Sequence, residues 1–164
     1  MRIELPDHTT ADAALAAEYA AARGRAGSVM AILRALGPRA EVVRAFLALA
    51  DAALYGPAAL GRRERELLAL ATSQANGAAY SETVHARLLS ELGGGPDGSA
   101  RDRALVAFAS RLTLEPGEAT DAVADLSEHL SDEEVFDAIA VIGLLNFANR
   151  AALATGITTE DDLG

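Results

Sequence analysis

A chain of 164 residues fits a single domain, residues 1–164, and is long enough to bury a core. A formal net charge of −10 argues against nucleic acid or an anionic membrane surface as a partner, because both require a basic face. The complete lack of cysteine excludes disulfides, thiolate metal ligands and a thiol nucleophile. About half of the residues are apolar, yet there are only three Tyr, four Phe and no Trp. A core so rich in alanine is built from closely approaching helices.

Apolar spacing is helical nearly throughout. Thr9 or Thr10 is the expected N-cap of a first helix running to about Arg23 and stopped by Gly24. Ser28 is the expected cap of a short second helix that ends at Gly37-Pro38. The third carries a wide apolar stripe, Val42, Val43, Phe46, Leu47, Leu49, Ala50, Ala53 and Leu54, and ends at Gly56-Pro57. Residues 60–92 read as two helices broken at Asn76-Gly77, one ending near Ala75 and the next starting near Ala78. The glycine-rich stretch 93–99 is a flexible connector. Helices are then expected over 100–114, stopped by Glu115-Pro116-Gly117, and over 118–130. Ser131-Asp132-Glu133-Glu134 pairs an N-cap with acidic first-turn residues, starting a last helix that reaches Thr155 before Gly156. The expectation is an all-α fold of seven or eight helices with no sheet. The longest apolar run, 139–147, is shorter than the roughly 20 residues of a membrane span. No basic segment followed by an apolar run opens the chain. A soluble cytoplasmic protein is therefore expected.

The stretch 61–85 carries the chemistry. Glu66 lies on the first helix of the broken pair, Asn76-Gly77 follows, and Ala78, Ser81 and His85 are spaced three and four apart. This pattern resembles the signature of the alkylhydroperoxidase D-like (carboxymuconolactone decarboxylase) family, peroxidase-related branch. Members carry a glutamate on one helix, then a Cys-x-x-Cys pair, then a histidine four residues on. Glu66 and His85 fall at the glutamate and histidine positions, and Ala78 and Ser81 at the two cysteine positions. The segments 55–60 and 145–150, the latter Leu-Asn-Phe-Ala-Asn-Arg, resemble further parts of that branch. The resemblance covers about residues 28–157 and implies an antiparallel helix hairpin at the core of the fold and a homo-oligomeric assembly. The apolar helix 38–54 also suits an interface on its own composition.

In the family, two thiols near a helix N-terminus cycle between dithiol and disulfide while histidine and glutamate relay protons. Here Ala78 has no reactive atom, and a Ser81 hydroxyl cannot reduce a peroxide through a disulfide. Thiol peroxidase activity is not expected. Glu66, His85 and Ser81 remain the candidate catalytic residues, with Tyr80 as a candidate cavity wall around a small-molecule ligand and no cofactor. One alternative is cofactor-free acid–base catalysis of the carboxymuconolactone decarboxylase type, with His85 as acid or base and an arginine holding a carboxylate. Another is a non-catalytic oligomeric protein.

Each residue also has a plainer role. Glu66 sits in a charge-rich first turn and fits a solvated helix start with weak ion pairs. A lone histidine such as His85 fits a hydrogen-bonded core. A Ser81-His85-Glu66 hydrolase would need an oxyanion hole and a strained nucleophile turn, and no Gly-x-Ser-x-Gly occurs. Glu82 and His85 form a Glu-x-x-His pair without the second pair that a di-iron bundle needs, so no metal is expected. Asn146, Asn149 and Arg150 are expected to bond neighbouring backbone or side chains rather than line a site. His8 and His129 are read as non-functional.

Overall fold

The computed structural model describes residues 4–7, 11–26, 29–95 and 97–159. Eight α-helices are present among them: α1 Ala13–Ala26, α2 Ala31–Leu36, α3 Ala40–Ala50, α4 Arg62–Asn76, α5 Ala79–Glu91, α6 Ala100–Leu114, α7 Ala119–Ser127 and α8 Asp132–Thr155. No β-strand occurs among the described residues. The expected all-α class is what is observed.

Helix ends follow local chemistry. Ser131 Oγ accepts from Glu134 N–H while the Glu134 carboxylate accepts from Ser131 N–H at 2.8 Å, closing a capping box on α8. Gly156 ends α8 in the left-handed conformation, at φ 67°. Ser99 Oγ caps α6 by accepting from Asp102 N–H. Gly77, at φ 65°, closes α4 and lets α5 begin within two residues, as the Asn-Gly signal predicts.

Three expectations need correction. Gly24 does not stop α1, which continues to Ala26 with open space around that glycine. The start of α1 is served by Asp12, whose carboxylate accepts from Leu15 N–H at 2.8 Å; the expected caps Thr9 and Thr10 lie outside the described residues, as does Ser28. The stretch 118–130 is not one helix: a 3₁₀ turn, Pro116–Glu118, leads into α7, which ends at Ser127. His129 therefore lies beyond the helix. Its carbonyl accepts from Arg101 at 2.9 Å.

The third helix runs on past Ala50 as a π turn, Asp51–Tyr55, closed by a Gly56 N–H to Asp51 C=O bond. The buried Arg65 guanidinium bonds the Gly56 carbonyl at 2.8 Å and approaches that of Ala53 at 3.5 Å. A turn whose carbonyls are out of α register is thereby held by an arginine of α4.

Helix α4 is the centre of the fold. It packs against α5, α6 and α8 and buries Arg65 to Ala69 in succession. One core lies among α4, α6, α7 and α8 around Phe108, Leu68, Leu105 and Ile142. A second joins α1, α2, α3, α5 and the end of α8 around Leu33, Val43, Tyr80 and Ala152. By length and composition α8 is apolar enough to cross a membrane, but half of its apolar window is buried inside the protein, as in a core helix. Side-chain bonds tie α8 to its neighbours. Asn149 Nδ2 donates to Ser73 Oγ at 3.4 Å, and Asn146 links Asn76 at 2.9 Å with Thr113 at 3.3 Å. Arg150 bonds Asn146 on its own helix. Asn146 and Asn149 thus bond side chains of neighbouring helices and Arg150 bonds within α8, as expected of residues outside the site.

Arg101 of α6 bridges Glu64 of α4 and Glu134 of α8, each at 2.5 Å. The Arg101 bond, helped by the Ser131 cap, holds the Glu134 carboxyl at about 2, well below its ordinary value of 4.5. A lowered pKa contributes stability that is present above the unfolded value and is lost as pH falls through the folded one. The wild-type melting temperature should therefore fall between about pH 4.5 and 2. Glu134→Gln should flatten that fall, as measured by thermal melts across the range. An unchanged pH slope would show that this clamp does not govern acid stability.

Candidate functional site

Helices α4 and α5 run back from the Gly77 reversal, which places side chains nineteen positions apart in contact. His85 Nδ1 lies 2.6 Å from Glu66 Oε2. Glu66 has no exposed surface and His85 is 7% exposed. The carboxylate's other oxygen, Oε1, accepts from Arg62, one turn earlier on α4. The Arg62 guanidinium in turn lies over the Tyr55 ring, 4.6 Å from its centroid. Glu66 is thus not the solvated helix start that its charged neighbours suggest.

The polarity of this line follows from its donors. Arg62 can only donate, and a carboxylate can only accept. Glu66 therefore takes one hydrogen from each side, and neutral His85 carries its proton on Nδ1. Nε2, on the other edge of the ring, is left as the acceptor. Among the described residues it has no hydrogen-bond partner.

The ring lines a cavity of about 60 Å³. The walls are apolar side chains of α3, α5 and α8, among them Phe46, Leu54, Val84 and Leu144, with Met30 and Ile32 from the α2 end. Among the described residues, the lining side chains that carry polar N or O atoms are Tyr55, Tyr80, Ser81 and His85. Ser81 precedes His85 by one helical turn, and both side chains meet the cavity. Water-sized positions of about 10–15 Å³ each give room for about four to six waters, or a small ring-sized molecule.

Of the predicted site residues, Glu66, His85 and Ser81 come together, and Tyr80 lines the same cavity. Ala78 is 1% exposed, at the N-cap position of α5, and is not part of the cavity wall. Among the described residues, no group of three or more His, Asp or Glu is gathered to hold a metal. Sequence reasoning missed Arg62 and Tyr55. The i, i+4 spacing of Arg62 and Glu66 was a usable signal. Tyr55 opens the segment 55–60 that carries part of the family resemblance, but nothing in the sequence assigned it to the site, because its placement depends on the π turn.

An all-helical fold with this helix pair and buried glutamate–histidine contact defines a class that comparison with known proteins makes specific. Residues 40–98 match the Carboxymuconolactone decarboxylase family. The fold is similar to an AhpD-core, peroxidase-related protein from Ralstonia eutropha JMP134, with a TM-score of 0.84 and 25% identity over 96% of this chain and 91% of that one. It is also similar to a peroxidase-related protein from Silicibacter sp. TM1040, with a TM-score of 0.77 and 26% identity over 95% and 86%. A putative antioxidant defence protein AhpD from Agrobacterium tumefaciens gives a TM-score of 0.62 and 27% identity over 73% and 90%. No curated protein matches the chain. The family match thus spans the helix pair that carries Glu66 and His85, the fold is similar to that of AhpD-core, peroxidase-related proteins, and this chain lacks cysteine.

The site makes a direct spectroscopic prediction. Nitrogen–proton correlation spectra of the histidine rings should show neutral His85 protonated at Nδ1, with Nε2 bare. In Glu66→Gln that preference should weaken, because the amide can both donate and accept. The opposite tautomer in the wild type would overturn the assigned polarity.

Proposed function

We propose that this protein is a cofactor-free acid–base catalyst in which His85 Nε2 exchanges a proton with a small apolar molecule in the cavity. The observation that carries the reading is the Arg62–Glu66–His85 line, with Glu66 and His85 buried, ending at that cavity. Glu66 orients the ring and stabilises the imidazolium that forms when Nε2 takes a proton. Ser81 supplies a hydroxyl one turn away that steers the ligand's polar group. Desolvation by the apolar walls strengthens each of these interactions.

Thiol peroxide reduction is outside this proposal, because the chain has no sulfur nucleophile. With all fourteen basic residues arginine, it has no lysine for a Schiff base either. A decarboxylase acting on a carboxylate needs a cation at the substrate. Among the described residues no arginine lines the cavity, and Arg62 is committed to Glu66 and Tyr55. A neutral substrate is therefore favoured over an acidic one.

Benzisoxazole tests the base directly. Removal of its one acidic carbon-bound proton breaks the N–O bond and gives a nitrile and a phenolate, whose absorbance reports the reaction. The wild type should accelerate this opening about 100-fold or more over His85→Ala, the scale of general base catalysis. In parallel, a thiol-coupled peroxide assay should show no turnover above buffer. Equal rates for wild type and His85→Ala, or thiol-dependent peroxide turnover, would reject the reading.

We extend the proposal to self-association. Phe136, Ile139, Gly143 and Phe147 repeat at helical spacing on the outer face of α8, and Phe136 is 71% exposed. Leu49 adds an exposed apolar side chain on α3. Sedimentation should give a species heavier than the 16.9 kDa chain. Phe136→Asp should lighten it, and a wild-type monomer at every concentration would reject this part.

A further inference from the structure

The geometry points to the class of ligand that the cavity takes: a neutral, ring-sized molecule that is a weak Brønsted acid, bound by donating an O–H or N–H to His85 Nε2. The inference rests on the proposed acid–base site and goes further by naming what occupies it.

Three observations fix the class. The first is polarity. Arg62 donates to Glu66 Oε1 and His85 Nδ1 donates to Oε2, so Nε2 is left as the acceptor of a ring that lines the cavity. A ligand with only acceptors would set lone pair against lone pair at that atom. The second is charge. Glu66 and Arg62 already form a pair, and the remaining wall is apolar apart from Tyr55, Tyr80, Ser81 and His85. An anion would enter without a counter-ion and lose its hydration, which is costly. A cation would meet no free carboxylate, because Glu66 has no exposed surface. The third is shape. The cavity of about 60 Å³ lies between Phe46, Leu54, Val84 and Leu144, leaving an apolar space suited to one ring. Ser81 Oγ makes no hydrogen bond among the described residues, and it meets the cavity one turn from His85. Its hydroxyl can donate to the same ligand oxygen that donates to Nε2. A phenolic hydroxyl satisfies both groups at once, whereas an ether oxygen satisfies only Ser81.

Phenol and its methyl ether, anisole, separate these demands, because they share the ring and differ in the proton. Calorimetric titration of the full chain should show phenol binding about tenfold or more tighter than anisole, the worth of one well-placed hydrogen bond to a buried acceptor. His85→Phe fills much of the same space and offers no acceptor, so it should erase the preference by weakening phenol. Benzoate should bind more weakly than phenol. Anisole equal to phenol, benzoate tighter than phenol, or no phenol binding would each overturn the inference. The benzisoxazole reaction reads the base itself and does not depend on a ligand proton donor. Failure here beside a working benzisoxazole reaction would therefore sink the ligand class alone, and failure of both would sink the site.

Discussion

A carboxylate with no exposed surface must have its charge answered from inside the protein, and Glu66 imposes that condition on everything around it. Two donors meet the requirement. Arg62 comes from the same helix, one turn earlier, and His85 comes from the next helix, across the Gly77 reversal. Neither partner is free to move without leaving a buried charge unpaired, which is why the His85 ring has one orientation and one neutral tautomer. The α4–α5 hairpin is the device that makes the contact, and Gly77 in its left-handed conformation makes the hairpin.

The rest of the fold keeps this pair dry and fixed. Helix α4 is held by arginine clamps near its start, Arg63 to Asp102 at 2.7 Å and Arg101 to Glu64 at 2.5 Å, and by asparagine and serine bonds to α8 near its end. Both ends of the helix that carries Glu66 are thus anchored by polar contacts, with a dense apolar core along its length. Such networks cost little when fully satisfied and specify one arrangement of neighbouring helices. The cavity lies on the other side, where α3, α5 and α8 meet over side chains of the second core.

Much of this was legible in the sequence. The Ser131-to-Glu134 box and Gly156 mark the limits of α8, and Asn76-Gly77 marks the α4–α5 break, because caps and left-handed glycines act locally. Glu66 and His85 meet as the family resemblance implies, and Ser81 lies one turn from His85 as their spacing implies. The sequence was less informative where tertiary contacts override local preference. Gly24 reads as a stop, but it is followed by two more helical residues because nothing there requires a left-handed turn. The charge-dense run 62–66 reads as solvent-facing, yet Arg65 and Glu66 are buried, because the π turn ahead of α4 and His85 of α5 supply partners that helical spacing within the run does not show. The exposed aromatic face of α8 and the α3 stripe, inward except at Leu49, both read simply as apolar, and only packing separates them.

The π turn at Asp51–Tyr55 has a consequence for how such a cavity changes over time. A π turn is one residue longer than the α-helical path it replaces. Loss of one residue within 51–55 would therefore let α3 continue in regular register while Arg65 and the helices around it stay in place. Tyr55, which closes one side of the cavity and covers Arg62, would be displaced by such a deletion. The wall of this site can be rebuilt by a change in chain length at one point, leaving Glu66 and His85 untouched. Variation in ligand choice among proteins of this fold should accordingly be sought in insertions and deletions ahead of α4 as much as in substitutions within the cavity.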